Sequence, residues 1–136
     1  MKTPPIKALH TDAQTIFTAA TAAAQPHTCV LDALQLEGSN LRIGNWHCDI
    51  RALSQLVVIG AGKATPTMAA AVEEVLGAHI DAGLINTKHG HEIPLNRIET
   101  IECGHPVPDS MGMEGTYRQL QLLEHLDEHA LVLCLF

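Results

Sequence analysis

The sequence predicts an α/β fold: a three-layer, Rossmann-like domain with a mostly parallel sheet. Two apolar runs, Leu56-Val57-Val58-Ile59 and Leu131-Val132-Leu133-Cys134-Leu135-Phe136, have the character of strands covered on both faces. Strand-like segments also alternate with helical ones, which implies βαβ units whose ligands gather beyond the carboxyl ends of the strands. Because the chain stops at the tip of an apolar strand, the domain is expected to be incomplete, residues 1–136 being the N-terminal part of something larger.

Each element has its own local signal. From Thr11 or Asp12 as N-cap, Ala13 to Ala24 are nearly all helix formers, with Ile16, Phe17 and Ala20 on one stripe. Gln25-Pro26 interrupts them, and a short helix from Pro26 to about Gln35 places Val30, Leu31 and Leu34 on one face. Glu37-Gly38-Ser39-Asn40 is turn chemistry before a short strand, Leu41-Arg42-Ile43. Trp46, the single tryptophan, is expected as a partly buried anchor ahead of a strand over Leu53 to Ile59. A helix over Pro66 to Leu76 follows, with Thr65 as N-cap and Gly77 as its stop. Strands are expected at Ala82 to Thr87 and Ile98 to Cys103, joined by a polar loop. Two prolines hold Gly104 to Asp109 extended until Asp109 or Ser110 caps a helix reaching about Asp127.

Composition narrows the function classes. With 136 residues, 46% of them hydrophobic and 17% charged, the chain is globular and can bury a core. A net charge of −7, from 8 basic and 15 acidic residues, argues against a nucleic-acid surface. No apolar stretch is long enough to span a bilayer. The four cysteines show no CxxC spacing and sit in apolar contexts, so they are expected as reduced, buried thiols of a cytoplasmic protein. Glu73 and Glu74 are expected on an exposed helix face.

The chemistry centres on Gly60-Ala61-Gly62-Lys63, between an apolar strand and a helix. A P-loop would need glycine where Val57 stands and Ser or Thr where Ala64 stands. A dinucleotide fingerprint would need its third glycine at Thr65. What the turn shares with both is backbone amides at a helix N-terminus, close approach at glycine, and one mobile cation, Lys63. It is therefore either an anion site or a tight turn with a solvated lysine. Lys88-His89-Gly90-His91 follows another strand end; its two imidazoles lack a carboxylate or cysteine to complete a metal set. Gly104-His105-Pro106-Val107-Pro108-Asp109 fixes one histidine and one aspartate on a stiff loop.

Ile59-Gly60-Ala61-Gly62-Lys63-Ala64 with Met68-Ala69-Ala70-Ala71, then Thr87-Lys88-His89-Gly90-His91, then Gly104-His105-Pro106-Val107-Pro108-Asp109 resemble, in order and spacing, the N-terminal region of glycerate 2-kinases of the MOFRL type. These class II enzymes are sometimes labelled hydroxypyruvate reductases. The resemblance covers roughly residues 10 to 136; His89 stands where the family usually has tyrosine. It implies transfer of the ATP γ-phosphoryl to the 2-hydroxyl of glycerate with Mg²⁺, with Lys63 catalytic. Gly60, Gly62, Lys88, His91 and His105 are then the expected contacts to substrate. The resemblance implies that a Ser-Gly-Gly-Gly-Ser loop associated with nucleotide binding follows the last apolar strand, and that a C-terminal domain completes the cleft. Two alternatives stand beside it: a hydroxypyruvate reductase, and a non-catalytic module that binds a partner through its open sheet edge. A homo-oligomer is left open.

Overall fold

The computed structural model describes residues 5–136. A four-stranded parallel sheet, in the order β6-β5-β4-β7, forms the centre. Its strands are β4 (Leu56–Ala61), β5 (Ala82–Lys88), β6 (Glu99–Cys103) and β7 (Leu131–Leu135). The first apolar run forms an interior strand of the kind its composition predicts, with Leu56, Val57 and Val58 of β4 buried. The second is corrected, because β7 lies at the sheet edge with Leu131 to Leu133 half-buried and Cys134 and Phe136 exposed.

Helix α3 (Thr65–Leu76) connects β4 to β5, and α4 (Ser110–Leu123) carries the chain from β6 back across the sheet to β7. Right-handed connections put these two helices on opposite faces. Side-chain parity agrees. Val58 and Ile85 join Ala69 and Val72 of α3 in the main core, whereas Asn86, one residue on, bonds to Gly112 and Thr116 of α4. The direction of travel reverses between β4 and β7, so the carboxyl ends of these strands form a switch point where α/β sheets open a crevice.

A three-stranded antiparallel meander completes the core: β1 (Leu34–Glu37), β2 (Asn40–Ile43) and β3 (Trp46–Asp49). Leu34 and Leu41 of this meander are buried with Leu76 and Ile80. Here the expected helix to Gln35 is corrected. Helix α2 spans Pro26–Ala33, and Leu34 starts a strand because Leu34-Gln35-Leu36-Glu37 alternates at the period of a pleat. Trp46 opens β3 and is 48% exposed, a surface position rather than an anchor.

Four further expectations are revised. Helix α1 (Ile6–Ala23) begins seven residues earlier than Ala13 and buries none of its side chains, Ile16 and Phe17 included. The strand expected from Leu53 starts at Leu56, since Ile50–Ala52 form a 3₁₀ turn capped by Asp49. Thr65 is not the α3 cap: Ala64 holds that place without a side-chain bond, and the buried Thr65 hydroxyl faces the Leu135 carbonyl at 3.5 Å. Helix α4 stops at Leu123 rather than Asp127. Among the described residues no helix is long and apolar enough to cross a membrane.

The thiols are all free, but Cys29 and Cys134 are exposed and Cys48 and Cys103 half-buried, so burial does not describe them. Glu73 does not simply face solvent either. Its carboxylate accepts from the amides of Asn96, Arg97 and Ile98 at 2.6–3.0 Å and anchors the loop entering β6.

Candidate functional site

The Gly60 to Lys63 turn is built by its neighbours. At Gly60 a Cβ would overlap the Leu135 carbonyl and crowd Thr65, so glycine is what lets β4, β7 and the start of α3 meet. At Gly62 the backbone has φ 139°, a region open to glycine. Its N–H donates to the Asn86 carbonyl at 3.0 Å, and its own carbonyl accepts from the Thr87 hydroxyl at 3.1 Å. The end of β5 thus holds the turn from both sides. The next two amides, those of Lys63 and Ala64, have no acceptor among the described residues. They stand at the positive end of α3, beside the exposed ammonium of Lys63.

A cavity of about 630 Å³ opens above this turn. Gly62 and Lys63 line one side, Thr87 and Lys88 the strand end, Gly104 and His105 the next loop, and α4 the far wall. Parallel strands account for the convergence, since they bring the loops after β4, β5 and β6 to one edge. Neither Lys63 nor Lys88 pairs with a carboxylate among the described residues, so both charges are free for an anion.

The remaining expected contacts fall elsewhere. Gly60 is buried beneath the cavity, its carbonyl accepting from Gln119 at 3.1 Å. His91 lies on the exposed loop outside the cavity lining. That loop is held from below: the Glu102 carboxylate accepts from the amides of Gly90, His91 and Glu92 at 2.7–3.1 Å. These donors, the Glu92 amide first, hold the Glu102 carboxyl below its ordinary range.

The stiff loop after β6 is folded back rather than extended, with a cis His105–Pro106 peptide bond inside it and Asp109 tying its two ends. One oxygen caps α4 through the Gly112 amide at 3.0 Å; the other accepts from the Gly104 amide at 2.8 Å. The Gly112 bond, with the Gly104 bond behind it, outweighs burial and keeps this carboxyl low. His89 lies between the two carboxylates, 3.5 Å from Asp109 and 3.9 Å from Glu102. Cys103 lines the cavity, but burial and then the Asp109 charge push its thiol up, away from nucleophilic use.

Sequence reasoning missed Asn86, Thr87 and the α4 wall. Asn86 and Thr87 carry a readable signal, two polar residues at the end of a strand that is otherwise apolar. The part played by Met113, Tyr117 and Leu120 has none, because helical spacing alone marks a core face equally well.

The chain is similar to proteins of known name. A family described as "Domain of unknown function (DUF4147)" matches residues 12–136. The D-glycerate 2-kinase of Thermotoga maritima is 43% identical over 84 residues, 61% of this chain and 20% of that protein. A putative hydroxypyruvate reductase of Agrobacterium vitis is 34% identical over 120 residues, 88% of this chain and 24% of that protein. Among solved structures, the PH0495 protein of Pyrococcus horikoshii superposes with a TM-score of 0.80 at 29% identity, over 98% of this chain and 29% of the other. The chain thus spans a fifth to a quarter of the length of these curated relatives. Matched from residue 12 to residue 136, the chain belongs to the DUF4147 family, and proteins named glycerate 2-kinase are among its relatives.

Proposed function

We propose that the protein contributes one half of the site of an ATP-dependent glycerate 2-kinase, which phosphorylates the 2-hydroxyl to give 2-phosphoglycerate. The observation that carries this reading is the meeting of Gly62, Lys63, Lys88 and His105 on one cavity. Since the match covers a fifth to a quarter of each relative, the activity is assigned to the chain joined to the remainder such relatives possess. The 136-residue chain alone is expected to be inactive.

The residues present suit a phosphate or carboxylate. Two amides without acceptors and two unpaired ammonium groups offer fixed and mobile positive charge where negative charge builds up. Bound ATP supplies the γ-phosphoryl that the 2-hydroxyl accepts, with ADP as leaving group. Lys63 stabilises the charge on the transferring group or on the substrate carboxylate, and Lys88 and His105 orient the substrate at the opposite rim. The described residues hold no group of three metal-ligating side chains, and Asp109 is committed to two amides, so magnesium would be held chiefly by the ATP phosphates and water, the usual way this ion sits in kinase sites. Positive charge from this half of the site comes from Lys63, Lys88 and the free amides.

Lys63→Ala in the complete protein tests the reading. Loss of a positioned charge donor is expected to lower kcat by about 10²-fold or more, with stability unchanged because the side chain is exposed. Unaltered phosphorylation of glycerate would remove Lys63 from the chemistry. The relative from Agrobacterium vitis, named a putative hydroxypyruvate reductase, favours a second reading, hydroxypyruvate reduction. Thr65 in place of the third fingerprint glycine weighs against it. Hydroxypyruvate-dependent loss of nicotinamide absorbance would establish the reductase instead.

A further inference from the structure

The cavity has two unlike walls, and a three-carbon hydroxy acid uses only one. On the cationic side stand Gly62 and Lys63, the latter with an amide that has no acceptor among the described residues. Facing it are Met113, Tyr117 and Leu120, at i, i+4 and i+7 on α4, so they form one stripe along the helix. These side chains are 74%, 59% and 56% exposed. Open apolar surface of this kind beside polar anchors is how ligand sites are commonly composed. At about 630 Å³ the space also falls in the range that buries ligands far larger than glycerate.

We infer that the α4 stripe seats the purine ring of the phosphoryl donor, with its phosphates directed at the Lys63 turn. This rests on the kinase reading above. A purine has flat apolar faces and a triphosphate end, matching the two walls in order. Tyr117 provides an aromatic platform, and Met113 a polarisable sulfur that packs well against rings. Thr116, between them in sequence, turns its hydroxyl back to the Gly112 carbonyl at 2.8 Å and puts no competing donor toward the ring. Leu120 closes the far end of the stripe.

The test uses the full chain with ¹³C-methyl methionine, titrated separately with ATP, inorganic tripolyphosphate and glycerate. ATP is expected to give nuclear Overhauser contacts from the purine protons to the Met113 methyl and none to Met68, which packs against the core on the other face. Tripolyphosphate is expected to shift the Lys63 amide without such contacts. Tyr117→Ala should weaken ATP about tenfold, in line with base stacking on an aromatic side chain, and leave tripolyphosphate unchanged; Tyr117→Phe should restore it. Being more than half exposed, position 117 tolerates both changes without unfolding the chain. Shifts at Lys63 with no purine contact to Met113, or equal weakening of ATP and tripolyphosphate by Tyr117→Ala, would overturn the purine assignment and leave the kinase reading intact. Failure of all three ligands to shift Lys63 would overturn both.

Discussion

Gly115 on α4 lies so close to Asn86 on β5 that a Cβ at position 115 would overlap the Asn86 carboxamide. The Asn86 amide nitrogen meanwhile donates to the Gly112 carbonyl at 3.2 Å. Its oxygen has no hydrogen-bond partner and is pressed against Gly115, where the helix carries no side chain. This contact sets how closely α4 approaches the sheet, and so the width of the cavity.

The first prediction is a reversal of sign. Alanine is ordinarily better than glycine inside a helix by about 1 kcal/mol. At position 115 the overlap dominates, so Gly115→Ala is expected to destabilise the fold by about 1–3 kcal/mol. Adding Asn86→Ala removes the obstacle and should return part of that loss. Urea denaturation of the single and double variants decides it, and a Gly115→Ala protein more stable than wild type would show that α4 has room to spare.

Thr87 gives a second prediction, on the turn itself. Its hydroxyl is the donor that fixes the Gly62 carbonyl, and Thr87→Val keeps the shape while removing that donor. Stability should fall by about 1 kcal/mol, the usual worth of one hydrogen bond. The more telling effect is on ligands: with the Gly62 carbonyl left to the longer 3.3 Å bond from the Thr65 amide, the Lys63 and Ala64 amides are held less firmly, and calorimetry should find tripolyphosphate bound several-fold more weakly. Full affinity in a destabilised variant would mean the turn needs no support from β5.

What the sequence made legible follows from the range of each interaction. Apolar runs such as Leu56 to Ile59 declare an interior strand within a few residues, and the strand ends that carry Lys63, Lys88 and His105 come together by the geometry of parallel strands alone. Of the meander, β2 and the turn before it were legible at Leu41 to Ile43, whereas β1 and β3 were not, since Leu34 also fits the helical stripe before it and Trp46 to Asp49 carry no apolar alternation. Long-range polar contacts left no local trace at all. Glu73 looks like any helix-surface carboxylate until the chain brings Asn96 to it, 23 residues away.

Glu73 yields a prediction in pH. Burial alone would raise its pKa, but the Asn96, Arg97 and Ile98 amides together hold it below the ordinary 4.5. A depressed carboxylate contributes its stability fully above the ordinary value and loses it as pH falls through the lower folded one. Glu73→Gln should therefore cost about 1–2 kcal/mol near neutrality. The gap between variant and wild type should narrow as pH falls below 4.5. A gap independent of pH would mean that the shape of the side chain, and not its charge, holds the entry to β6.

Asp109 is predicted to act as the latch of the histidine loop. Two carboxylate oxygens serve two amides on opposite sides, Gly104 before the prolines and Gly112 after them, so one side chain fixes both the cavity rim and the start of α4. In Asp109→Asn only one oxygen remains; the amide group then meets the Gly104 N–H donor to donor. Losing half of this cap should lower stability measurably. Hydrogen exchange can resolve the effect by residue: faster exchange is expected at Gly104 and Gly112, with β4 amides unchanged. Wild-type protein should approach the same pattern as pH falls below the ordinary aspartate value of 3.8, because protonation removes the acceptor just as the substitution does. If the variant exchanged faster at Gly112 alone, Asp109 would be a helix cap only, and the prolines would suffice to hold His105 at the rim.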